Sequence, residues 1–299
     1  MRLTVNARPP FSLSAVVGSH GWVRLAPFAR DPDTGALVRV EQLDSGQVVA
    51  LRIEEEADPG GAGSGVSVAT EASLTEAEGQ EVTDKVGWML GLDQDLTPFY
   101  DLAREEPKLA RMEERAQGRL LRSPTLFEDV VKTILTTNTA WSGTIRMAEA
   151  LVSQYGAPLP GDPKRRTFPT PDRLAGTDEE TLRAQARLGY RAPYVLALAR
   201  DVASGELDLE ALKDSDLPTV ELRKRLLALK GVGGYAAANL LMILGRYDYV
   251  PVDSWALKMV SREWYGGEPV GQAEVEAAFE RWGEWKGLAY WFWDWSDTG

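Results

Sequence analysis

The sequence contains no cysteine, and His20 is its only histidine. These absences exclude thiol nucleophiles, zinc sites built from Cys and His, histidine-based catalytic triads and cysteine-ligated iron–sulfur clusters. Any chemistry must therefore use carboxylates, hydroxyls, lysines or the backbone, and no cofactor is expected for it. His20 lies in a Gly-Ser-His-Gly sequence and is most simply a turn residue.

The sequence also lacks a long apolar run. No segment reaches about eighteen uninterrupted apolar residues, and no basic start is followed by an apolar stretch of signal length. We therefore expect a soluble protein without membrane contact, cytoplasmic and, if bacterial, associated with the nucleoid. The 299 residues, of which 44% are hydrophobic, suit one large or two ordinary domains with substantial cores.

Positive charge is scarce: 33 Lys and Arg face 45 Asp and Glu, a net charge of −12. This balance argues against a nucleic-acid partner, because affinity for phosphate normally comes from Lys and Arg. Residues 1–100 hold 7 of the cations and 15 of the acids, so the remainder is nearly balanced. A basic face, or merely solvated surface, could be formed by Arg119, Arg122, Lys132, Arg191, Lys230 and the Lys-Arg-Arg run at 164–166.

The hydrophobic pattern changes near residue 75. Before it, short β-branched or alternating runs at 12–17, 21–28, 36–42 and 48–54 are separated by turn sequences and a glycine-rich stretch at 58–65, which predicts an antiparallel sheet. After it, an apolar period near 3.6 predicts helices at 82–92, 126–155, 181–203, 220–229, 235–244, 255–265 and 273–282. We predict an α+β fold with a β-rich domain at 1–90 and a mostly helical domain at 91–299.

A proline and a capping box are predicted at one helix start. Ser-Pro-Thr at 123–125 is followed by Glu128, three residues after Thr125. Thr and Glu at this spacing can satisfy each other's backbone N–H groups at the first turn.

The most informative segment is Leu-Lys-Gly-Val-Gly-Gly-Tyr at 229–235, between two helix-forming runs. A hairpin here would present backbone N–H groups at a helix N-terminus, an arrangement that binds phosphate. Asp253 follows in Val-Pro-Val-Asp-Ser-Trp, eighteen residues after Tyr235. A helix N-cap explains this aspartate, and capping would also hold the carboxylate in place and ionised for chemistry.

The glycine hairpin and the aspartate resemble the HhH-GPD superfamily of DNA glycosylases, in particular the 8-oxoguanine DNA glycosylases. Sequences at 136–138, 168–170, 174–176, 188–195 and 282–283 occur in the order of those enzymes. The opening Arg-Pro-Pro-Phe at 8–11 also looks like the start of bacterial 3-methyladenine DNA glycosylase II. The resemblance implies a monomeric enzyme of base excision repair that flips a damaged purine out of double-stranded DNA and excises it by hydrolysis. A non-catalytic protein that binds DNA damage or DNA structure is the alternative.

The resemblance also implies roles for individual residues. Asp253 would be catalytic, stabilising the positive charge that develops on the sugar or activating water. Tyr235 stands where bifunctional relatives have a Schiff-base lysine, and because a phenol cannot form an imine we predict no AP-lyase activity. Asn138 and Tyr190 would fill the gap that the flipped nucleotide leaves, and Arg191 would reach the estranged base. Asn138 could instead be a helix-terminal cap, Tyr190 a core residue and Arg191 part of a surface ion pair.

The resemblance implies that the hairpin binds one phosphate of the DNA. The residues implied are Lys230, Gly231, Gly233 and Gly234. Lys230 would act as an electrostatic contact, with a nucleophilic role as its alternative. A structural Na⁺ or K⁺ would be held by the backbone carbonyls of Leu227, Leu229 and Val232.

A tryptophan-rich segment at 282–295 raises the question of the base pocket. Aromatics at helical spacing mostly form core, but a pair facing a pocket would stack on a flipped base and favour a cationic alkylated purine. The candidate pocket residues are Asn239, Trp285, Tyr290 and Trp291. Tyr290 falls where 8-oxoguanine enzymes often have a glutamine, and Asn239 could instead be bonded within its helix. The overall resemblance favours oxidised guanine, whereas the pocket favours alkylated bases.

Overall fold

A five-stranded antiparallel sheet forms the N-terminal part of the chain in the computed structural model, which describes residues 1–57 and 64–294. The spatial order of the strands is β1-β5-β4-β3-β2. Their bounds are Arg2–Ala7 (β1), Ala29–Arg30 (β2), Leu37–Gln42 (β3), Val48–Ala57 (β4) and Ser64–Ala69 (β5). The predicted strands at 36–42 and 48–54 are confirmed as β3 and β4, which pair antiparallel with Leu37 opposite Ile53. Of the predicted glycine-rich stretch, residues 58–63 lie outside the described residues.

Two of the predicted strands are wrong. Residues 12–17 form a short helix, α1 (Leu13–Val17), because the Ser12 hydroxyl accepts a hydrogen bond from the Ala15 N–H and caps it. Part of 21–28 is a 3₁₀ turn, Gly21–Arg24, where a Cβ on residue 21 would stand 2.2 Å from the Trp141 ring. Tertiary packing overrides the β propensity of these short runs.

The rest of the chain is mainly helical, as predicted. The helices are Glu76–Leu90 (α2), Thr97–Ala103 (α3), Leu126–Thr136 (α4), Trp141–Tyr155 (α5), Pro171–Ala175 (α6), Glu179–Gln185 (α7), Ala192–Ala203 (α8), Thr219–Leu227 (α9), Gly234–Ile243 (α10), Ser254–Trp264 (α11), Gln272–Phe279 (α12) and Lys286–Phe292 (α13). A two-stranded hairpin of Pro158–Leu159 (β6) and Asp162–Arg166 (β7) was not predicted. Within the described ranges, no helix has the length and apolar content needed to cross a bilayer.

The described residues form two compact units. Unit 1 consists of Met1–Asp95 and Glu113–Leu209, and unit 2 of Leu96–Met112 with 210–294. Unit 1 thus combines the sheet with α4 to α8, and unit 2 contains α3 and α9 to α13. The domain boundary predicted between residues 90 and 91 falls within unit 1 and stays a prediction.

A buried ionic network joins the sheet to α4 inside unit 1. The Arg39 guanidinium on β3 lies 2.7 Å from a Glu41 oxygen and 3.1 Å from a Glu128 oxygen, and the Lys132 ammonium lies 2.6 Å from the other oxygen of Glu128. Thr125 caps α4 by accepting from the Glu128 N–H, but the Glu128 side chain points to these cations. The predicted capping box is therefore only half formed, because pairing a buried charge outweighs a surface cap.

Burial also overturns most of the predicted basic face. Arg119, Arg122, Lys132 and Arg191 are all buried, so they contribute no basic surface. The Arg119 guanidinium, for example, donates to backbone carbonyls of Gly91 and Pro10. Lys230 and the run at 164–165 remain exposed.

His20 precedes the 3₁₀ turn, as its turn assignment predicts, and its environment keeps it neutral. Its Nε2 lies 2.6 Å from the Leu121 carbonyl oxygen, and its ring meets the Trp22 ring edge-on with centroids 4.7 Å apart. Burial lowers the pKa of His20 to about 4, and the charge of Lys132 adds to this effect, whereas the hydrogen bond to Leu121 opposes it. Burial likewise raises the pKa of nearby Asp129 to about 6.

We predict that His20 makes the fold less stable as the pH falls. Below pH 6.5 the unfolded chain binds a proton that folded His20 refuses until about pH 4, so stability falls by about 1.4 kcal/mol per pH unit between these values. Asp129 has the opposite effect between 3.8 and about 6. A His20→Gln variant should lose the histidine contribution, so its stability difference from wild type should shift between pH 7 and pH 5 in urea unfolding. A pH-independent difference would contradict the prediction.

Candidate functional site

The predicted glycine hairpin is present in unit 2, between α9 and α10. Gly231 has φ +88°, a conformation that favours glycine, and Gly233 occupies the N-cap position of α10. Gly233 supplies no capping side chain, and a Cβ placed on it would meet nothing within 4 Å. The first N–H groups of α10 are therefore open to an external anion, which the helix dipole also favours.

The carbonyl groups of the hairpin fit a monovalent cation. The Leu229 carbonyl accepts a hydrogen bond of 3.1 Å from the Val232 N–H, which leaves one lone pair. Among the described residues, the carbonyls of Leu227 and Val232 accept no backbone hydrogen bond outside a helix. Three carbonyl oxygens with spare lone pairs are a donor set that suits Na⁺ or K⁺.

Asp253 is the N-cap of α11, as predicted. One carboxylate oxygen, Oδ1, accepts from the backbone N–H groups of Trp255 at 3.0 Å and Ala256 at 2.8 Å. The side chain is half-buried, and the positive end of the helix dipole stabilises its negative charge. The cap occupies Oδ1 and leaves the second oxygen for other partners.

Two tyrosines flank this carboxylate, Tyr235 on α10 and Tyr290 on α13. Burial raises the pKa of both phenols, and the negative charge of Asp253 raises each further. Both phenols therefore stay protonated at neutral pH and can act only as neutral donors or acceptors.

Asn239 lies one turn beyond Tyr235 on α10. Its side-chain N–H donates to the Tyr235 carbonyl at 2.9 Å, so the alternative of a bond within the helix is observed. The amide also opposes the rise in the pKa of the Tyr235 phenol. Asp253, Tyr235, Tyr290 and Asn239 thus form one polar cluster inside unit 2.

Most of the tryptophan-rich segment belongs to the core, as predicted for aromatics at helical spacing. Trp285 stacks on Tyr247 with ring centroids 5.4 Å apart and lies 5.7 Å from Phe99. Trp282 and Trp293 are also buried, Trp291 is half-buried, and residue 295 lies outside the described residues. Trp255, two residues after Asp253, is an aromatic side chain that is 53% exposed and was not predicted as a site residue.

Asn138, Tyr190 and Arg191 are brought together in unit 1, at a break in the predicted 126–155 helix. That helix is wrong as one element: α4 ends at Thr136, Asn138 has φ +45°, and α5 begins at Trp141. The Asn138 amide donates to the Tyr190 hydroxyl at 3.3 Å, and the Arg191 guanidinium donates to the Thr137 carbonyl.

Burial decides between the alternatives for two of these residues. Tyr190 is 44% exposed and is therefore not a core residue. Arg191 is 6% exposed, with its guanidinium carbon 4.5 Å from the centre of the Tyr190 ring, and is therefore not part of a surface ion pair. The exposed phenol and amide are held in place by the buried guanidinium behind them.

We predict that Asp253 stabilises the fold as a cap independently of its charge. Asp253→Ala should lower the free energy of unfolding by about 1 kcal/mol, whereas Asp253→Asn, which keeps an oxygen acceptor, should stay close to wild type. Urea unfolding of the two variants measures this difference. Equal stability of the alanine and asparagine variants would show that the observed cap contributes nothing.

Comparisons with known proteins agree with this geometry. Residues 131–284 match the profile of the family described as HhH-GPD superfamily base excision DNA repair protein. The chain is 27% identical over 181 residues to DNA-3-methyladenine glycosylase of Bacillus subtilis, covering 60% of this chain and 59% of that protein. The chain thus spans little more than half the length of the curated relatives that it matches.

Two solved structures share the fold over nearly the whole chain. The 3-methyladenine DNA-glycosylase from Archaeoglobus fulgidus superposes with a TM-score of 0.75 at 23% identity, covering 98% of this chain and 97% of that one. The apo form of the Clostridium acetobutylicum 8-oxoguanine glycosylase/lyase gives a TM-score of 0.70 at 21% identity, covering 95% and 92%. The α+β fold, an N-terminal antiparallel sheet followed by a helical region, is therefore that of known glycosylases.

Proposed function

This chain belongs to the HhH-GPD superfamily of base excision DNA repair proteins, and from that membership we propose that it is a DNA glycosylase acting on a damaged purine in double-stranded DNA. One observation carries the proposal. The Asp253 carboxylate is held at a helix N-terminus, near enough to two phenols to raise their pKa values, in the same unit as the open glycine hairpin.

The hairpin would bind one phosphate of the DNA backbone. Main-chain N–H groups at Gly231, Gly233 and Gly234 offer donors, and exposed Lys230 adds charge. A Na⁺ or K⁺ on the carbonyls of Leu227, Leu229 and Val232 would add a positive charge next to the same phosphate. This ion would have a structural role, and no step of the chemistry would pass through it.

Asp253 would act on the sugar of the extruded nucleotide. As the bond between the base and C1′ breaks, its electron pair leaves with the base and positive charge develops on the sugar ring. A nearby fixed carboxylate stabilises that charge, and the capping hydrogen bonds keep Asp253 from turning away. Water then bonds to C1′ and loses a proton, while the base gains one. Tyr290, whose pKa the Asp253 charge raises, would be a neutral hydrogen-bond donor near the carboxylate.

The exposed cluster of unit 1 would serve base flipping. A duplex that loses a base from its stack needs a group to fill the gap and to hold the orphaned partner. Tyr190 offers a ring for stacking and Asn138 an amide for base edges. Arg191 orients Tyr190 in the structure, and it would reach the estranged base by exchanging its bond to the Thr137 carbonyl.

An alkylated purine is the first candidate substrate. Its support is the 27% identity to the Bacillus subtilis protein named DNA-3-methyladenine glycosylase and the aromatic residues Tyr235 and Tyr290 near Asp253, with Asn239 on α10 and with Trp285 and Trp291 close to Tyr290 in sequence. A positively charged ring stacks well on aromatics. Oxidised guanine, which the order of the motifs favours, is the second candidate.

We predict single-turnover release of at least one damaged base. Duplexes containing 3-methyladenine, 1,N6-ethenoadenine, hypoxanthine or 8-oxoguanine would be incubated with excess protein and the strand then cleaved with alkali. Asp253→Asn should lower the rate of release by about 10²–10⁴-fold while duplex binding is kept. Binding without release on every duplex would favour the non-catalytic alternative, and full activity of Asp253→Asn would remove that residue from the mechanism.

We also predict that base release leaves an intact abasic site. Tyr235 cannot form an imine, so borohydride should trap no covalent protein–DNA adduct, and strand scission should appear only after alkali. Lys230→Ala is the control, because this exposed lysine lies within the hairpin segment and carries its only side-chain amine. A trapped adduct that disappears in Lys230→Ala would overturn the prediction.

A further inference from the structure

Charge of one sign is concentrated along α9, the hairpin and α10. Residues 222–247 contain no Asp or Glu, although the chain as a whole has a net charge of −12. Their cations are Arg223, Lys224, Arg225, Lys230 and Arg246. The segment that contains the open N-terminus of α10 thus contributes five positive charges and no negative charge.

Arg223 stands apart from the other cations of α9. Its Nη2 lies 3.9 Å from the point where a Cβ on Gly234 would stand, which brings the guanidinium to the start of α10. The guanidinium carbon lies 4.7 Å from the centre of the Tyr249 ring, so the aromatic face holds its plane in place. Lys224, by contrast, is paired with Glu221 at 2.6 Å.

The hydrogen-bonding capacity of Arg223 is not used up. Its Nε is buried without a hydrogen-bond partner, and within the described part of the chain no carboxylate pairs with the guanidinium. An arginine offers five N–H donors in a planar fork, and leaving a buried donor unmatched costs free energy. Since Arg223 forms no side-chain hydrogen bond within the described part of the chain, the donors on its two Nη atoms are available to a partner from outside the protein.

We propose that the Arg223 guanidinium is a ligand of the DNA phosphate that the hairpin binds. This inference rests on the proposed function, because it assumes duplex DNA as the partner. A guanidinium matches the geometry of phosphate oxygens, and stacking on Tyr249 fixes it before binding. Gly234, which has no side chain, leaves the space beside the guanidinium open. Arg223 thus adds a charged, directional contact to the main-chain N–H groups of α10.

The salt dependence of binding tests this contact directly. Affinity for a duplex with a tetrahydrofuran abasic-site analogue would be measured between about 50 and 200 mM salt for wild type, Arg223→Gln, Arg223→Lys and Arg225→Gln. Losing one phosphate contact should reduce the slope of log K against log salt by about 0.9 in Arg223→Gln. Exposed Arg225, on the same helix, is the matched control for the same change of charge, and its variant should change the slope by less than half of that.

Arg223→Lys separates charge from geometry. It should keep the wild-type slope but bind about three- to tenfold more weakly, because an ammonium cannot form the planar fork. Arg223→Gln with the slope of Arg225→Gln would overturn the proposal, and weaker binding at an unchanged slope would show a purely structural role. Should Arg223→Gln fail to fold, unchanged affinity of Arg223→Lys would overturn it equally. A wild-type protein that neither binds the duplex nor releases a base would instead refute the proposed function.

Discussion

The two hydrogen bonds from the backbone of α11 to Asp253 are the interaction on which the candidate site depends. They fix one carboxylate oxygen at the positive end of a helix whose own position is set by buried residues such as Met259 and Val260. The energy that folds α11 therefore also orients the carboxylate. A capping aspartate is an ordinary structural feature, and the catalytic role proposed for this one adds the two neutral phenols whose pKa values its charge raises. Structural and catalytic interpretations of Asp253 are thus complementary.

The N-termini of α10 and α11 in unit 2 both carry backbone N–H groups that need an acceptor, and the two helices meet this need differently. At α11 the N-cap residue is Asp253, and the exposed N–H groups are satisfied by the protein's own anion. At α10 the N-cap residue is Gly233, which has no side chain to offer, so equivalent N–H groups remain for an anion from outside. The residue at one position in each helix thus decides whether the first N–H groups are satisfied within the protein or left open. In the proposed function, the glycine would therefore matter as much as the aspartate.

The parts of this molecule that depend on local sequence could be predicted, and those that depend on distant packing could not. The hairpin and the cap at Asp253 are set by residues close together in the chain. The break after Thr136 was missed because the apolar period continues across it, whereas the Thr136 and Thr137 hydroxyls donate to carbonyls of the preceding turn and end the helix. Burial of Arg119 and Lys132 follows from contacts with residues far away in sequence.

The same distinction between local sequence and distant packing explains how a chain with a net charge of −12 could bind a polyanion. Net charge counts every ionisable group equally, but the charges of Arg39 and Lys132 are buried inside unit 1 and neutralised by Glu128 and Glu41. What a DNA phosphate meets is the charge within about one Debye length, roughly 8 Å at physiological salt. The hairpin segment itself contributes only positive charge, because residues 222–247 carry no acid. If the proposed function is correct, this segment would attract the phosphate, and the directional N–H groups of α10 would add to that attraction.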